Sequence, residues 1–299
     1  MDFLTEEKSN LALTDEKVLA LLPKRKRNSH KGSYGKAAIV AGSIEYTGAA
    51  YLSAAACLRA GAGYTTLFVP SQILPYYILK SPEILLKPSN EGTMYAFNEE
   101  FMWQVCEYDA VAYGMGMGVS LAVAEGAAYL LSRFSGKLIL DADGLNSLAA
   151  YKKDELPTLL KNAKCDVILT PHVKEFARIS RLYVEKIIED DLQCATAFAK
   201  AHSVTILLKN AASIITDGEK IAVNTTGNSG QAKAGSGDVL SGVIAGLCAQ
   251  GANAFDGGCA AAFLCGRAAD IAVRSLGEYS LTASDCIDRL GEAFLSFSL

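Results

Sequence analysis

Ala110-Val111-Ala112-Tyr113-Gly114-Met115-Gly116-Met117-Gly118, followed by Leu121-Ala122-Val123-Ala124, is the stretch that sets the fold class. Its four apolar residues are too few for a buried helix and do not alternate with polar ones. They read as a strand buried on both faces. The glycines break the run, and residues 121–132 are then long enough for a helix. A strand passing through a glycine turn into a helix is the repeating unit of a parallel sheet. The spacing is not the dinucleotide fingerprint, because Val119 stands where its third glycine would fall.

The same unit recurs on either side. Residues 37–41 form an apolar run ending at Gly42, and the Ala-rich residues 48–60 predict a helix closed by Gly61-Ala62-Gly63. Tyr64–Val69 is β-branched and aromatic and stops at Pro70. Downstream, Lys137–Leu140 ends in Asp141-Ala142-Asp143, and Asp166–Leu169 ends in Thr170-Pro171-His172. A helix is expected over residues 190–201 and a strand over 204–208. The rhythm then changes. Ser213–Thr216 and residues 220–223 flank Asp217-Gly218-Glu219, a hairpin signal. Helices are expected over 239–250, 254–274 and 283–297. The pattern predicts an α/β chain with a mostly parallel sheet covered on both faces. Its carboxyl strand ends gather Gly42-Ser43, Gly114 to Gly118, Asp141, Asp143 and His172 on one edge, where such sheets bind ligands. Residues 1–30 read as an extension with a short helix at 15–22 stopped by Pro23, and residues 31–299 as one catalytic domain without internal repeats.

Composition narrows the function classes. Half of the 299 residues are hydrophobic, net charge is only −4 and the pI is about 5.5, so no basic field holds a nucleic acid backbone. Lys24-Arg25-Lys26-Arg27 is a solvated charge run or a local attraction for a polyanion. The eight cysteines form no C-x-x-C pair and no zinc spacing. They read as reduced core residues in a cytoplasmic protein. Met1 to Glu7 lacks signal-peptide order, and no apolar run is long enough for a bilayer.

The segment richest in chemistry is Gly227-Asn228-Ser229-Gly230-Gln231-Ala232-Lys233-Ala234-Gly235-Ser236-Gly237-Asp238, feeding a helix. Glycines admit a ligand close to the backbone, and the first amides of a helix have no internal partner and carry partial positive charge. Together they suit an anion, with Asn228 and Lys233 counted in the same cluster. Asp238 reads either as a cap of those amides or as a group acting on a reacting hydroxyl. An ordinary capped helix start is the plain alternative. This is not a Walker A loop, since no Gly-Lys-Ser/Thr follows. Asp141 and Asp143 read as a solvated strand end or as carboxylates holding magnesium through water. His30 and His202 read as surface residues.

Taken in order, Gly32-Ser33-Tyr34-Gly35, Ala41-Gly42-Ser43, Tyr113 to Gly118, Asp141-Ala142-Asp143-Gly144-Leu145-Asn146, Leu169-Thr170-Pro171-His172 with Glu175, Leu208-Lys209, and Gly227-Asn228 through Gly235-Ser236-Gly237-Asp238 resemble the ADP/ATP-dependent NAD(P)H-hydrate dehydratases. The likeness runs from about Lys31 to the C-terminus. It implies a ribokinase-like three-layer αβα sandwich and repair of the S epimers of hydrated NADH and NADPH. It implies ADP or ATP as co-substrate, magnesium, and a homotetramer. It implies the hydrate near Ala49, Gly116, His172 and Asp238, and the nucleotide against Lys209, Asn210, Ala211, Ala212, Ser213 and Gly237. Asp238 would act as base, with the amides of Gly235, Ser236 and Gly237 holding the moving phosphoryl group. The protein ligands of the metal are left unknown. An N-terminal epimerase domain, carried by some relatives, is not expected from so short an N-terminus.

The chain departs from the family at Lys209-Asn210-Ala211-Ala212-Ser213, in place of Lys-Gly-x-x-Thr. It departs again at His172-Val173-Lys174-Glu175, in place of His-x-Gly-Glu, and at Lys233-Ala234-Gly235-Ser236-Gly237-Asp238, in place of Thr-Gly-Gly-Thr-Gly-Asp. These positions bear on nucleotide choice. A small-molecule kinase of the same superfamily, acting on a vitamin precursor or sugar alcohol, shares the Gly-Asp loop. A nucleotide-sensing module without catalysis would explain the changes at Asn210 and Lys174, but not the retained Asp238.

Overall fold

The computed structural model describes residues 6–297; the start of the Met1 to Glu7 stretch, residues 1–5, lies outside them. Among the described residues nine strands form one sheet in the order β3-β2-β1-β4-β5-β6-β7-β8-β9. They are β1 Lys36–Val40, β2 Tyr64–Val69, β3 Leu85–Pro88, β4 Ala110–Tyr113, β5 Lys137–Leu140, β6 Asp166–Leu169, β7 Thr205–Leu208, β8 Ser213–Thr216 and β9 Ile221–Asn224. Pairing is parallel from β3 through β7, and the β7-β8-β9 end is antiparallel. The expected hairpin is the β8–β9 connection.

Successive strand residues point to opposite faces, and both faces are apolar. Ala37 and Ile39 enter one core with α3 Thr47–Arg59, α11 Ser236–Ala249, α12 Ala254–Ser280 and α13 Ala283–Leu295. Ala38 and Val40 enter the other. That core is closed by α4 Glu99–Val105, α5 Leu121–Arg133, α6 Asp143–Tyr151, α7 Leu156–Lys161, α8 Val173–Ser180, α9 Val184–Glu189 and α10 Asp191–His202. The result is a three-layer αβα sandwich. Two further helices, α1 Glu6–Asn10 and α2 Asp15–Leu21, precede the sheet. Between them the backbone pairs with the outer edge of β9: the Leu13 amide donates to Val223 O at 2.9 Å, and the Val223 amide donates to Leu11 O at 3.0 Å. Among the described residues all eight cysteines are free, and no helix is long and apolar enough to cross a membrane.

Several elements differ from the sequence reading. β3 carries Lys87 and Pro88, which hide a strand in sequence but suit a sheet edge. Short helices α4 and α6 to α9 fill connections that lack a long apolar period. α12 runs on to Ser280, with a non-helical break at Gly277 (φ 70, ψ 162). α11 starts at Ser236, three residues earlier than expected, so Ser236-Gly237-Asp238 is its first turn. His202 is not simply a surface residue: its ring lies 4.3 Å from that of Phe198 and is half-buried.

The layer that positions the site is the contact of α3 with α11. A Cβ at Gly242 would lie 2.1 Å from Ser53 O, and one at Gly246 would lie 2.6 Å from Cys57 O. The two glycines are four residues apart and share one helix face, so α11 rests directly on the α3 backbone. Gly242→Ala is therefore expected to destabilise the protein by about 1–3 kcal/mol through overpacking. Gly291→Ala in α13, where a Cβ meets nothing within 4 Å, is expected to stabilise by about 0.4–1 kcal/mol. Calorimetric unfolding of the two variants checks the contrast.

Candidate active site

The strand order reverses between β1 and β4, which opens a crevice at their carboxyl ends. Beyond β1, the Gly42 amide donates to Met115 O at 2.8 Å. The glycine turn after β4 folds onto the start of α3. Gly116 has φ 63, and a Cβ there would lie 2.6 Å from Tyr46 Cβ and 2.9 Å from Ala49 Cβ. Two expected substrate residues, Ala49 and Gly116, are thus adjacent, and only glycine allows the approach.

The turn also interlocks with the end of β5. The Gly118 amide donates to Asp143 Oδ2 at 2.8 Å, and the Asp143 amide donates to Gly114 O at 3.2 Å. Between the two aspartates, Ala142 is held at φ 47, ψ −117, a sparsely populated conformation of the sort that clusters at functional sites. Neither end of this pair is a solvated strand end. Asp141 is 1% exposed. Its Oδ1 accepts from Lys209 Nζ at 2.8 Å, and its Oδ2 accepts from Ser241 Oγ at 2.7 Å. Both oxygens are engaged by protein donors. Burial, with Asp141 adding, raises the Asp143 carboxyl against the Gly118 amide.

After β6, His172 begins α8. Its Nδ1 accepts from the amides of Lys174 at 3.1 Å and Glu175 at 3.3 Å. Glu175 Oε2 returns the bond by accepting from the His172 amide at 2.9 Å, which completes a capping box. This network places the ring proton of neutral His172 on Nε2. Burial lowers the imidazole pKa against the pull of Glu175, with Lys209 and Arg178 lowering it further. After β7, the Lys209 amide donates to Pro171 O at 2.9 Å. Lys209 Nζ lies 3.9 Å from Glu175 Oε2 as well as touching Asp141. Burial drags this ammonium down, but Asp141, Glu175 and Asp238 together outweigh it and raise its pKa.

Asp238 lies in the first turn of α11. The N-cap is Gly235 (φ 97), without any side-chain cap, so Asp238 is not a capping residue. Its backbone O accepts from Ser53 Oγ at 3.0 Å, while Ser236 Oγ donates to Gln231 O at 2.8 Å. The amides of Gly237 and Asp238 have no carbonyl four residues back within the helix. Burial pushes the Asp238 carboxyl up to about 7, with Asp141 and Asp143 adding to the rise and Lys209 opposing it. A carboxyl at that value, set by environment, suits a general base near neutral pH.

The remaining sequence candidates sort plainly. Gly237 faces Lys209: a Cβ there would lie 3.3 Å from Nζ. Asn210 and Ala211 are exposed and belong with Ala212 to a tight β7–β8 turn. Ser213 Oγ accepts from the Asn210 amide at 3.3 Å and donates to Asn210 O at 3.1 Å. Asn228 and Lys233 do not join the anion cluster. Asn228 Nδ2 donates to Asp270 Oδ1 at 3.0 Å. Lys233 Nζ donates to Tyr279 O at 2.6 Å and Leu281 O at 2.7 Å, fastening the loop to the end of α12. The basic run is also remote. Arg25 stacks 3.7 Å over the Tyr34 ring and donates to Gly61 O past the C-terminal end of α3. Ser241 and the pairing of Lys209 with Asp141 went unread in the sequence, because 68 residues separate the ion pair. Among the described residues no group of three or more His, Cys, Asp or Glu could hold a metal ion.

A family model described as NAD(P)H-hydrate dehydratase matches residues 37–290. The bifunctional NAD(P)H-hydrate repair enzyme of Moorella thermoacetica is 36% identical over 275 residues, which cover 90% of this chain and 51% of that protein. The chain spans about half the length of the bifunctional relatives it matches. The ADP-dependent (S)-NAD(P)H-hydrate dehydratase of Neisseria meningitidis is 33% identical over 256 residues, 85% of this chain and 82% of that protein. The ADP/ATP-dependent NAD(P)H-hydrate dehydratase of Bacillus subtilis, crystallised with ATP and Mg2+, superposes with a TM-score of 0.82 at 28% identity. That match covers 97% of this chain and 99% of that one. With its ribokinase-like α/β sandwich and its matched span, the chain belongs to the NAD(P)H-hydrate dehydratase family.

Proposed function

We propose that the chain restores hydrated nicotinamide cofactors. It would move the terminal phosphoryl group of magnesium-bound ADP or ATP onto the ring hydroxyl of (S)-NADHX or (S)-NADPHX. Hydroxide leaves poorly, whereas a phosphate ester leaves readily when the ring nitrogen supplies its electron pair. The neighbouring ring carbon then loses a proton, giving NADH or NADPH, free phosphate, and AMP or ADP. The observation that carries this reading is the half-buried Asp238 carboxyl in the first turn of α11, raised to about 7 beside Lys209. The likeness to the Neisseria and Bacillus dehydratases suggests the substrate and the nucleotides.

In this reading Asp238 accepts the hydroxyl proton while the amides of Gly235, Ser236 and Gly237 hold the moving phosphoryl group. Such preorganised donors carry most of phosphoryl transfer. The hydrate lies over Ala49 and Gly116, and His172 offers its Nε2 proton as a donor. The nucleotide lies against the turn from Lys209 to Ser213. Magnesium would come with the nucleotide, neutralising charge on its phosphates, which is the ordinary habit of this ion. The free cysteines fit a cytoplasmic setting. The exposed Tyr76, Ile78 and Leu79, near edge strand β3, support assembly of copies into a tetramer.

The direct test incubates the full chain with (S)-NADHX, magnesium and either nucleotide while following the absorbance of reduced cofactor; a stable phosphorylated product without that absorbance would identify a kinase instead. Asp238→Asn is expected to lower turnover roughly 10²–10⁴-fold with nucleotide binding retained, as read by titration calorimetry. In the wild type, kcat/KM should rise with pH through about 7 as Asp238 deprotonates. Stability runs the other way. The folded carboxyl keeps its proton between the ordinary 3.8 and about 7, where the unfolded one loses it, so the folded state loses stability as pH rises through that window. Asp238→Asn should therefore raise the thermal midpoint at pH 8, by up to a few kcal/mol in stability, and the gain should vanish below pH 4.

A further inference from the structure

Lys209 belongs by sequence to the β7–β8 turn, yet its ammonium is not with that turn. The side chain reaches across the end of β6 to Asp141 at the end of β5, 2.8 Å away. Two strand spacings span about 10 Å, so the long stem of a lysine is used almost in full. On arrival the ammonium lies under the first turn of α11, 3.3 Å from where a Gly237 Cβ would stand, and 3.7 Å separates that point from Asp141 Oδ2. Because Gly237 carries no side chain, none of its own atoms crowds the ammonium beneath the first turn. An oxyanion resting on the amides of that turn would meet the ammonium on its other side.

What fixes the ammonium there is Asp141. Its second oxygen accepts from Ser241 Oγ at 2.7 Å, and Ser241 stands four residues after Gly237 on the same face of α11. One rigid helix thus carries both the amides and the anchor of the carboxylate. With Asp141 buried, its charge is costly unless both partners stay in place.

We propose that Lys209 is a catalytic cation that contacts the phosphoryl group in transfer, and that Asp141, held by Ser241, is the positioning residue that places its charge. This rests on the phosphoryl-transfer reading above and gives Lys209 a role apart from binding the nucleotide through its turn. The charged groups acting on Asp238 are Asp141 just past β5, Asp143 at the start of α6 and Lys209 just past β7, and they act in opposite senses. Lys209 favours the Asp238 carboxylate, whereas Asp141 and Asp143 disfavour it.

The test uses Lys209→Met, Lys209→Arg, Asp141→Asn and Ser241→Ala in the full chain, each checked for a cooperative melt. Steady-state rates with (S)-NADHX and magnesium nucleotide are read beside the titration of Asp238, followed by carbon-13 NMR of labelled aspartate and assigned with Asp238→Asn. Lys209→Met should lower kcat roughly 10²–10³-fold, the size of losing one preorganised donor, with nucleotide KM little changed, and Lys209→Arg should recover part of the loss. The Asp238 midpoint should move up in Lys209→Met and down in Asp141→Asn. Ser241→Ala, which frees Asp141 from α11 alone, should lower kcat while keeping the fold if Asp141→Asn does not fold. A raised nucleotide KM with normal kcat in Lys209→Met would make Lys209 a nucleotide contact and overturn the proposal. So would Asp238 midpoints that fail to move apart, whatever the substrate. A wild type inactive on every hydrate, with the midpoints separating as stated, would instead sink the substrate reading alone.

Discussion

One buried carboxylate holds the site together. Asp141 sits at the end of a central strand with almost no exposure, and it must be satisfied from within the protein. It takes one bond from Lys209, just past β7, and one from Ser241 on α11. Those two bonds tie the sheet to the helix that carries Asp238. The contact of α11 with α3, closed by Gly242 and Gly246, sets the same helix from the other side. The Asp238 carboxyl is thus located by constraints that do not involve it, and burial first, then its charged neighbours, sets its charge state.

The crevice itself is built mostly from backbone. Gly114, Gly116 and Gly118 all have positive φ, and each places a main-chain group where a side chain would collide with its neighbours or strain the turn. Ala142 accepts an unfavourable conformation so that Asp141 can point inward while Asp143 receives the Gly118 amide. Rigid backbone is a better platform for an anion than long side chains, because little freedom remains to be lost on binding.

The sheet was legible in the sequence because strands buried on both faces leave uninterrupted apolar runs, as at Ala110–Tyr113 and Lys137–Leu140. The carboxyl-end residues were legible for the same reason, since polarity returns where each run stops. Edge strand β3 was not, because Lys87 and Pro88 suit an edge and disguise a strand. The short helices α6 to α9 are held by packing rather than by a period of their own. Within the site, Asp238, His172 and Lys209 were visible as residue types in telling places. The partners that define them were not. Lys233 counts with the anion cluster by its place beside glycines, yet it fastens carbonyls at the end of α12. A single sequence gives neighbours along the chain, and the ion pair of Lys209 with Asp141 is a neighbour only in space.

The strip of backbone at Leu11 to Leu13 lies along the outer rim of β9. Leu11 to Leu13 therefore wait for Val223, more than two hundred positions later, before they can pair with a strand edge. Contacts of such long sequence separation form slowly, because loop-closure entropy is spent before they reward it. A seam joining early-made and late-made chain is thus slow to close. Until it does, the newborn domain presents an open hydrogen-bonding ribbon to its surroundings, a period in which a chaperone has the most to protect.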